Sequence, residues 1–435
     1  MKKYVCLIIF AFTTLSSCLK AQSLEQQSFV PQPVELKKIP IPYESYPFID
    51  TTYNKILIPS ADTIRFVEFY NKIERLITLG DRQINILHIG GSHVQADMFS
   101  HKVRQNLDAI NAQYQSPRGF IFPFKVANTN NPTNYRVSYS GEWNSVRNVQ
   151  ANREVSLGMG GIAVYTSDPE ATILIELNPD YEDRRWTFDR LRLLGYPEDE
   201  DAPIHPVVYH LRDTIYSYYD LVTDSYVFNM PETCDYFEMG FISEVDSVDF
   251  TFMVNGFIPE KDVPGIIYHA IGVNGASTES YLGSEYFEQE LSIIMPDLVI
   301  FGIGINDAAG KDFTPELFYA NYTELLRRIR EVSPDCTFLF LTNNDSYKRV
   351  SRGKYAVNNN GLLARDVFYR LAQDNQAGVW DLFMLMGGLK SMAEWEKAGL
   401  AQRDKIHFKR EGYELLGDML YNALLQLYFD IEQEE

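Results

Sequence analysis

Positive charge is scarce in this 435-residue chain: 39 Lys and Arg stand against 59 Asp and Glu, a formal net charge of −20. A nucleic-acid surface needs stripes of Lys and Arg to displace counterions from phosphates, and no such stripe occurs. The same deficit argues against anionic membrane surfaces and suits neutral or cationic partners. Cysteine is scarce too. Cys6, Cys18, Cys234 and Cys336 are too few for a disulfide scaffold, and their spacing gives no zinc motif. Cys234 and Cys336 are open to pairing or to staying free. The seven histidines, His88, His93, His101, His205, His210, His269 and His407, form no His-Glu-x-x-His pair and no Cys/His cluster. No metal or other cofactor is therefore expected, and a glycine-rich phosphate loop is also missing. No apolar run reaches the ~18 residues of a membrane-spanning helix.

What the chain has is ordinary apolar content, 45%, and many aromatics, 14%, which excludes a disordered chain. Its length suits about three domains with sizeable cores. Met1-Lys2-Lys3 followed by the apolar run Val5 to Leu15 reads as a secretory signal over residues 1–17. Leu15-Ser16-Ser17-Cys18 has the form of a bacterial lipobox, so cleavage would leave a lipidated Cys18; ordinary cleavage near Ala21-Gln22 is the alternative. The expected location is the bacterial periplasm or the outer membrane as a lipoprotein, or else secretion. The only membrane contact foreseen is that lipid. Loss of Lys2 and Lys3 makes the mature chain more acidic still.

Residues 18–60 are rich in Pro and Gln and read as a tether followed by an extended surface wrap. Residues 61–126 form the first part of an α/β domain. Ile64, Phe66, Phe69, Ile73, Leu76 and Ile77 mark a helix, with Asp62 as cap and Gly80 as stop. The apolar strand Ile84–Ile89 ends at Gly90-Gly91-Ser92-His93, and a second helix is expected from about Gln95 to Ala112. Residues 127–260 differ in texture: seven short β-rich runs between turn signals, with no helix among them, predict an all-β sandwich. Its acidic turn Glu198–Asp201 reads as a solvated loop, since calcium ligands at alternating spacing are absent. The aromatics Trp186, Tyr209, Tyr218 and Tyr219 read mostly as core, with sugar stacking as the alternative. Over residues 261–435 strands and helices alternate again, with a helix expected over Ser284–Ile293 and a final one from Lys409. The pattern predicts a parallel sheet covered on both faces and interrupted by the β-rich stretch.

Four short blocks carry chemistry. Ser92 sits between a strand and a helix, where ligands gather in open α/β sheets; alone, it reads equally as a helix cap. Asn274-Gly275-Ala276 follows another strand, and its glycine N–H is able to approach a ligand or simply to make a turn. Gly304-Ile305-Asn306-Asp307 follows a third, where an Asn amide suits an oxyanion donor or an Asx-turn. Asp404-Lys405-Ile406-His407 places a carboxylate three residues before a histidine; it is able to bond Nδ1 and leave Nε2 as base.

Together, and in this order, the blocks resemble the SGNH/GDSL hydrolase superfamily. The Trp380–Leu382, Met386–Gly388 and Gly399–Gln402 stretches look like its exported bacterial members. The resemblance covers about residues 62–125 and 262–430. It implies a three-layer α/β fold with Ser92 as nucleophile, His407 as base and Asp404 orienting it. The oxyanion hole would be the Ser92 N–H, the Gly275 N–H and the Asn306 side chain; His93 and Asp307 would shape the pocket. An all-β insertion between the serine and glycine blocks is similar to the plan of bacterial peptidoglycan O-acetylesterases. That implies removal of O-acetyl groups from a glycan. A glycan O-acetyltransferase and a non-catalytic glycan-binding lipoprotein are the alternatives. The last is motivated by Gly91, which stands where the family usually has Asp.

Overall fold

The computed structural model describes residues 34, 36–111, 113–177, 179, 186–243, 245, 249–351 and 354–434. The expected signal, Cys18 and residues 19–33 and 35 of the expected tether lie outside these described residues.

The α/β part is built on a six-stranded sheet in the order Ile56–Leu57, Gly378–Trp380, Thr337–Leu341, Leu298–Gly302, Gln83–Gly90, Gly265–Gly272. Five strands are parallel; Ile56–Leu57 pairs antiparallel with Gly378–Trp380 at the edge. The apolar run of Gln83–Gly90 explains its central place. Successive side chains alternate in direction, so Ile84 and Ile86 enter one core while Leu87 and Ile89 enter the other, all at 2% exposure or less. Helices Ile64–Leu79, Met98–Asn111 and Arg410–Glu434 cover the first face, and Pro315–Val332 and Asn360–Asn375 cover the second. The extended segment before residue 61 thus enters the sheet through Ile56–Leu57 and is tied down elsewhere by Ile39, whose N–H donates to Asn422 at 2.8 Å.

The β-rich stretch forms two antiparallel sheets. One has six strands, ordered Tyr218–Asp220, Ser225–Cys234, Phe188–Pro197, Phe252–Glu260, Ile162–Thr166, Asn144–Arg147. The other has five, ordered Tyr135–Ser140, Thr172–Leu177, Tyr236–Ser243, Ile204–His210, Asp213–Tyr216. The facing apolar residues form one core that continues into the second face of the parallel sheet, from Phe188 and Phe237 through Phe120, Phe122 and Phe257 to Leu87 and Ile89. The two halves therefore share apolar burial, the largest favourable term in folding.

Several local expectations need correction. Thr63, not Asp62, is the residue preceding the first helical turn, although Asp62 still accepts the Ile64 N–H. The helix expected from Gln95 is two, Ser92–Gln95 and Met98–Asn111. They are separated because Asp97 turns left-handed (φ 49°) to send its carboxylate inward to Arg104, Arg118 and Asn134. The helix expected over Ser284–Ile293 runs Phe287–Ile294, and a separate short helix that was not expected, Thr278–Leu282, precedes it, opened by a Ser277–Ser280 capping box. Tyr218 and Tyr219 face solvent, while Trp186 is clamped by Arg104 and Arg118, whose guanidinium carbons lie 5.6 and 5.7 Å from its ring centre. Cys234 and Cys336 are buried free thiols, and burial pushes Cys234 up to about 12. Among the described residues no acidic, His or Cys cluster able to hold a metal forms, and no helix is long and apolar enough to cross a membrane.

Candidate active site

Three adjacent strands of the parallel sheet end in register on glycines: Gly90 pairs with Gly272 on one side and Gly302 on the other. The chain leaves Gln83–Gly90 for the right-hand neighbour first and only later crosses to the left-hand one, so the strand order reverses here. Such a switch point opens a crevice beyond the strand ends. The next residues of each strand are the sequence blocks: Ser92 after Gly90, Gly275 after Gly272, Asn306 after Gly302. The close approach needs glycine at 272, because a Cβ there would lie 2.5 Å from the Gln95 nitrogen and 2.8 Å from the Gly91 carbonyl.

Ser92 opens the short helix Ser92–Gln95, and its Oγ lies 2.8 Å from His407 Nε2. His407 Nδ1 lies 2.7 Å from Asp404 Oδ2. An ionised carboxylate only accepts, so Nδ1 carries the proton and the Nε2 lone pair faces the serine hydroxyl. The Asp404 turn is held by its other oxygen, which accepts the N–H groups of Ile406 and His407 at 2.9 and 3.0 Å. Lys405, between Asp404 and Ile406, adopts φ 56°, and Gln402 N–H donating to the His407 carbonyl at 2.8 Å closes the loop. Burial pushes the Asp404 carboxyl upward, but the hydrogen bond from His407 and the two backbone donors outweigh it and hold it down to about 2. The carboxylate is thus charged across the neutral range.

On the opposite side, Asn306 in the turn Ile305–Ala309 donates one amide hydrogen to the Ala276 carbonyl at 2.8 Å; its second amide hydrogen is available to a ligand. Gly275 has φ 88°, a conformation that favours glycine, with only Val149 within 4 Å of a Cβ position. Asp307 accepts the Thr278 N–H at 3.1 Å and hydroxyl at 2.5 Å, tying the Asn306 turn to the loop after Gly275, and burial raises its carboxyl. A cleft of about 220 Å3 opens beside Asn306 and Asp307, edged by Ser277, Glu279, Lys311 and Asp312.

His93 packs behind the base, its ring centre 5.3 Å from that of His407, and its Nδ1 lies 2.8 Å from the Tyr413 hydroxyl. Burial, reinforced by His407, pushes its pKa down to about 3, so it is neutral. Gly91 has φ −101° and ψ −136°, outside the extended region, and a Cβ there would stand 3.3 Å from Asn306 Nδ2. The sequence reading named the eight residues Ser92, His93, Gly275, Asn306, Asp307, Asp404, His407 and Cys18. The first seven meet in or beside this crevice, and Cys18 is outside the described residues. It missed Gln95, Tyr281, whose hydroxyl donates to the Gly90 carbonyl at 2.9 Å, and Tyr413. A buried glutamine or a helix tyrosine has no sequence signal until its neighbours are known.

A serine, histidine and aspartate joined by hydrogen bonds at the switch point of a doubly covered parallel sheet form an arrangement suited to nucleophilic acyl chemistry. Comparison with known proteins agrees: residues 258–415 match the GDSL-like lipase/acylhydrolase family, a span holding Gly275, Asn306, Asp404 and His407 but not Ser92. A solved peptidoglycan O-acetylesterase is similar over 86% of this chain and 99% of its own, with 21% identity and a TM-score of 0.68. An acetyl xylan esterase (19% identity, 36% of this chain and 80% of its own, TM-score 0.28) resembles it over a smaller part. So does a lipase/acylhydrolase from Enterococcus faecalis (23%, 38% and 77%, 0.29). No curated protein matches by sequence. The chain thus resembles the GDSL-like lipase/acylhydrolases over residues 258–415, which supports a hydrolase, and it shares its fold with the solved O-acetylesterase.

Proposed function

We propose that this protein is a serine esterase that removes O-acetyl groups from a cell-envelope glycan. The observation that carries the reading is the continuous hydrogen-bonded line from Ser92 through His407 to Asp404, facing Asn306 and Gly275 across one crevice. In the first half-reaction Ser92 Oγ attacks the acetyl carbonyl carbon while His407 Nε2 takes the hydroxyl proton. The tetrahedral oxyanion is stabilised by the backbone N–H groups of Ser92 and Gly275 and the free hydrogen of the Asn306 amide. Collapse expels the sugar oxygen, which takes the proton from His407 and leaves acetyl-Ser92. Water, activated by the same imidazole, then releases acetate. Asp404 holds the tautomer and stabilises the imidazolium throughout.

Similarity to the peptidoglycan O-acetylesterase fold supports the acetyl-glycan substrate class, and the open polar cleft beside Asn306 offers room for a sugar. An uncharged ester also suits an acidic protein. In this proposal the enzyme is held in the envelope by a lipid on Cys18, a reading supported by the lipobox Leu15-Ser16-Ser17-Cys18. The test is acetate release from an aryl acetate and from O-acetylated peptidoglycan and xylan by wild type and Ser92→Ala. Loss of release in the variant supports the assignment, and undiminished release sinks it. Added glycan acceptor that suppresses acetate while becoming acetylated would make the enzyme a transferase instead.

A further inference from the structure

The turn that bears Ser92 also grips the loop that bears Gly275. Gln95 is 1% exposed, and both ends of its amide are engaged. Its Oε1 accepts the Asn274 N–H at 2.7 Å. Its Nε2 donates to the Thr129 hydroxyl at 3.0 Å and to the Asn130 carbonyl at 3.3 Å. Asn274 closes the ring, its own side-chain amide donating to the same Thr129 hydroxyl at 3.2 Å. Three stretches of chain therefore meet on one side chain: the nucleophile turn, the oxyanion loop, and the residues leading into the first sandwich strand, Tyr135–Ser140.

The position of this ring matters because Gly275 has no side chain to hold it. Its neighbours do the holding. Gln95 fixes the backbone N–H of Asn274 immediately before it, and Asn306 fixes the carbonyl of Ala276 immediately after. With one grip released, the peptide between Asn274 and Gly275 is able to rotate, since glycine has an unusually wide choice of backbone angles. A donor must point at the oxyanion before the reaction to lower its barrier, because reorientation during the reaction costs free energy.

We propose that Gln95 is a positioning residue that aims the Gly275 N–H from the nucleophile turn, and that Thr129 couples this aim to the inserted β module. The inference rests on Gly275 serving as an oxyanion donor. The experiment compares Gln95→Met, which keeps the volume and loses both polar ends, with Gln95→Glu, which still accepts from Asn274. Kinetics on an aryl acetate, thermal melting, fluorophosphonate labelling of Ser92 and amide hydrogen exchange over residues 273–277 are read on the full chain.

For Gln95→Met, kcat falls about 10- to 100-fold, less than outright loss of a donor, with KM within about twofold. Exchange at 273–277 quickens, while the melt stays cooperative. Gln95→Glu recovers kcat to within about tenfold of wild type. Thr129→Val, a milder change at the far side of the ring, lowers kcat about 3- to 10-fold and serves as the variant to read if Gln95→Met does not fold. Unchanged kcat and exchange in Gln95→Met, or in Thr129→Val where it stands in, overturn the proposal, as does a Glu variant as slow as the Met variant. If the wild type neither turns over esters nor takes the label, the esterase reading fails; the exchange measurement still judges the grip on the loop.

Discussion

The Asn306 amide reaches across 2.8 Å to the Ala276 carbonyl, so one side chain joins two of the three strand-end loops that make the site. Its second hydrogen is the one assigned to the oxyanion in the proposed reaction. Asn306→Ala removes both functions, and kcat on an aryl acetate is expected to fall by about 10²–10³-fold, the usual cost of one oxyanion donor. Stopped-flow or steady-state rates check this, and a loss below about tenfold would remove Asn306 from the oxyanion hole.

Gly91 sits where the resemblance to the SGNH/GDSL superfamily leads one to expect Asp, and the space for a side chain there is tight. A Cβ would stand 3.3 Å from Asn306 Nδ2, so that amide, which also bonds Ala276, would have to shift slightly to admit it. Gly91→Asp is therefore expected to lower kcat, by roughly tenfold if the Asn306 donor is displaced rather than lost. A gain in activity, measured on the same substrate, would instead favour the reading of a decayed glycan-binding site.

Glu290 crosses from the helix Phe287–Ile294 into the sandwich, accepting the Met159 N–H at 2.8 Å and the Asn255 amide at 2.7 Å. Burial raises its carboxyl to about 7. Between its unfolded value near 4.5 and about 7 the folded state holds a proton that the unfolded chain has released. Its contribution is therefore complete below 4.5 and is lost as pH rises through 7, by about 3 kcal/mol at most. Wild-type melting temperature should drop from pH 5 to pH 8. In Glu290→Gln that slope should flatten, although the variant is less stable at acid pH because one bond is lost. Parallel slopes in differential scanning calorimetry would refute the assignment.

Asp97 is 4% exposed between two guanidinium groups, Arg104 at 3.2 Å and Arg118. Asp97→Ala leaves both cations buried without their carboxylate, and removing one partner of a buried pair costs about 3–5 kcal/mol. Urea denaturation should show that loss as a lower midpoint. A change under 1 kcal/mol would mean the arginines find other partners.

Much of this was legible in the residues. The run Ile84–Ile89 announced a strand buried on both faces, and both faces are covered. The blocks around Ser92, Gly275 and Asn306 each read ambiguously alone, as cap, turn and Asx-turn. What escaped has a common cause. The four sandwich strands that the β-rich pattern did not reveal, Tyr135–Ser140, Asn144–Arg147, Asp213–Tyr216 and Tyr218–Asp220, are all sheet edges. An edge strand has a solvated side and is often short, so its alternation is weak. The break at Asp97 was hidden because only the fold brings Arg118 and Asn134 to the carboxylate beside the nearby Arg104.

By itself the sequence determined which strands are central, where each ends in glycine, and which nucleophile, base and amide follow those ends. Those features depend on side-chain period and on backbone freedom, both written residue by residue. Tertiary structure alone decided that Gly90, Gly272 and Gly302 lie side by side, that Asp404 and His407 swing under Ser92, and that Gln95 grips the loop beside Gly275. Those are contacts between residues up to 315 positions apart, and only the folding of one sheet around a shared core brings them within hydrogen-bond reach.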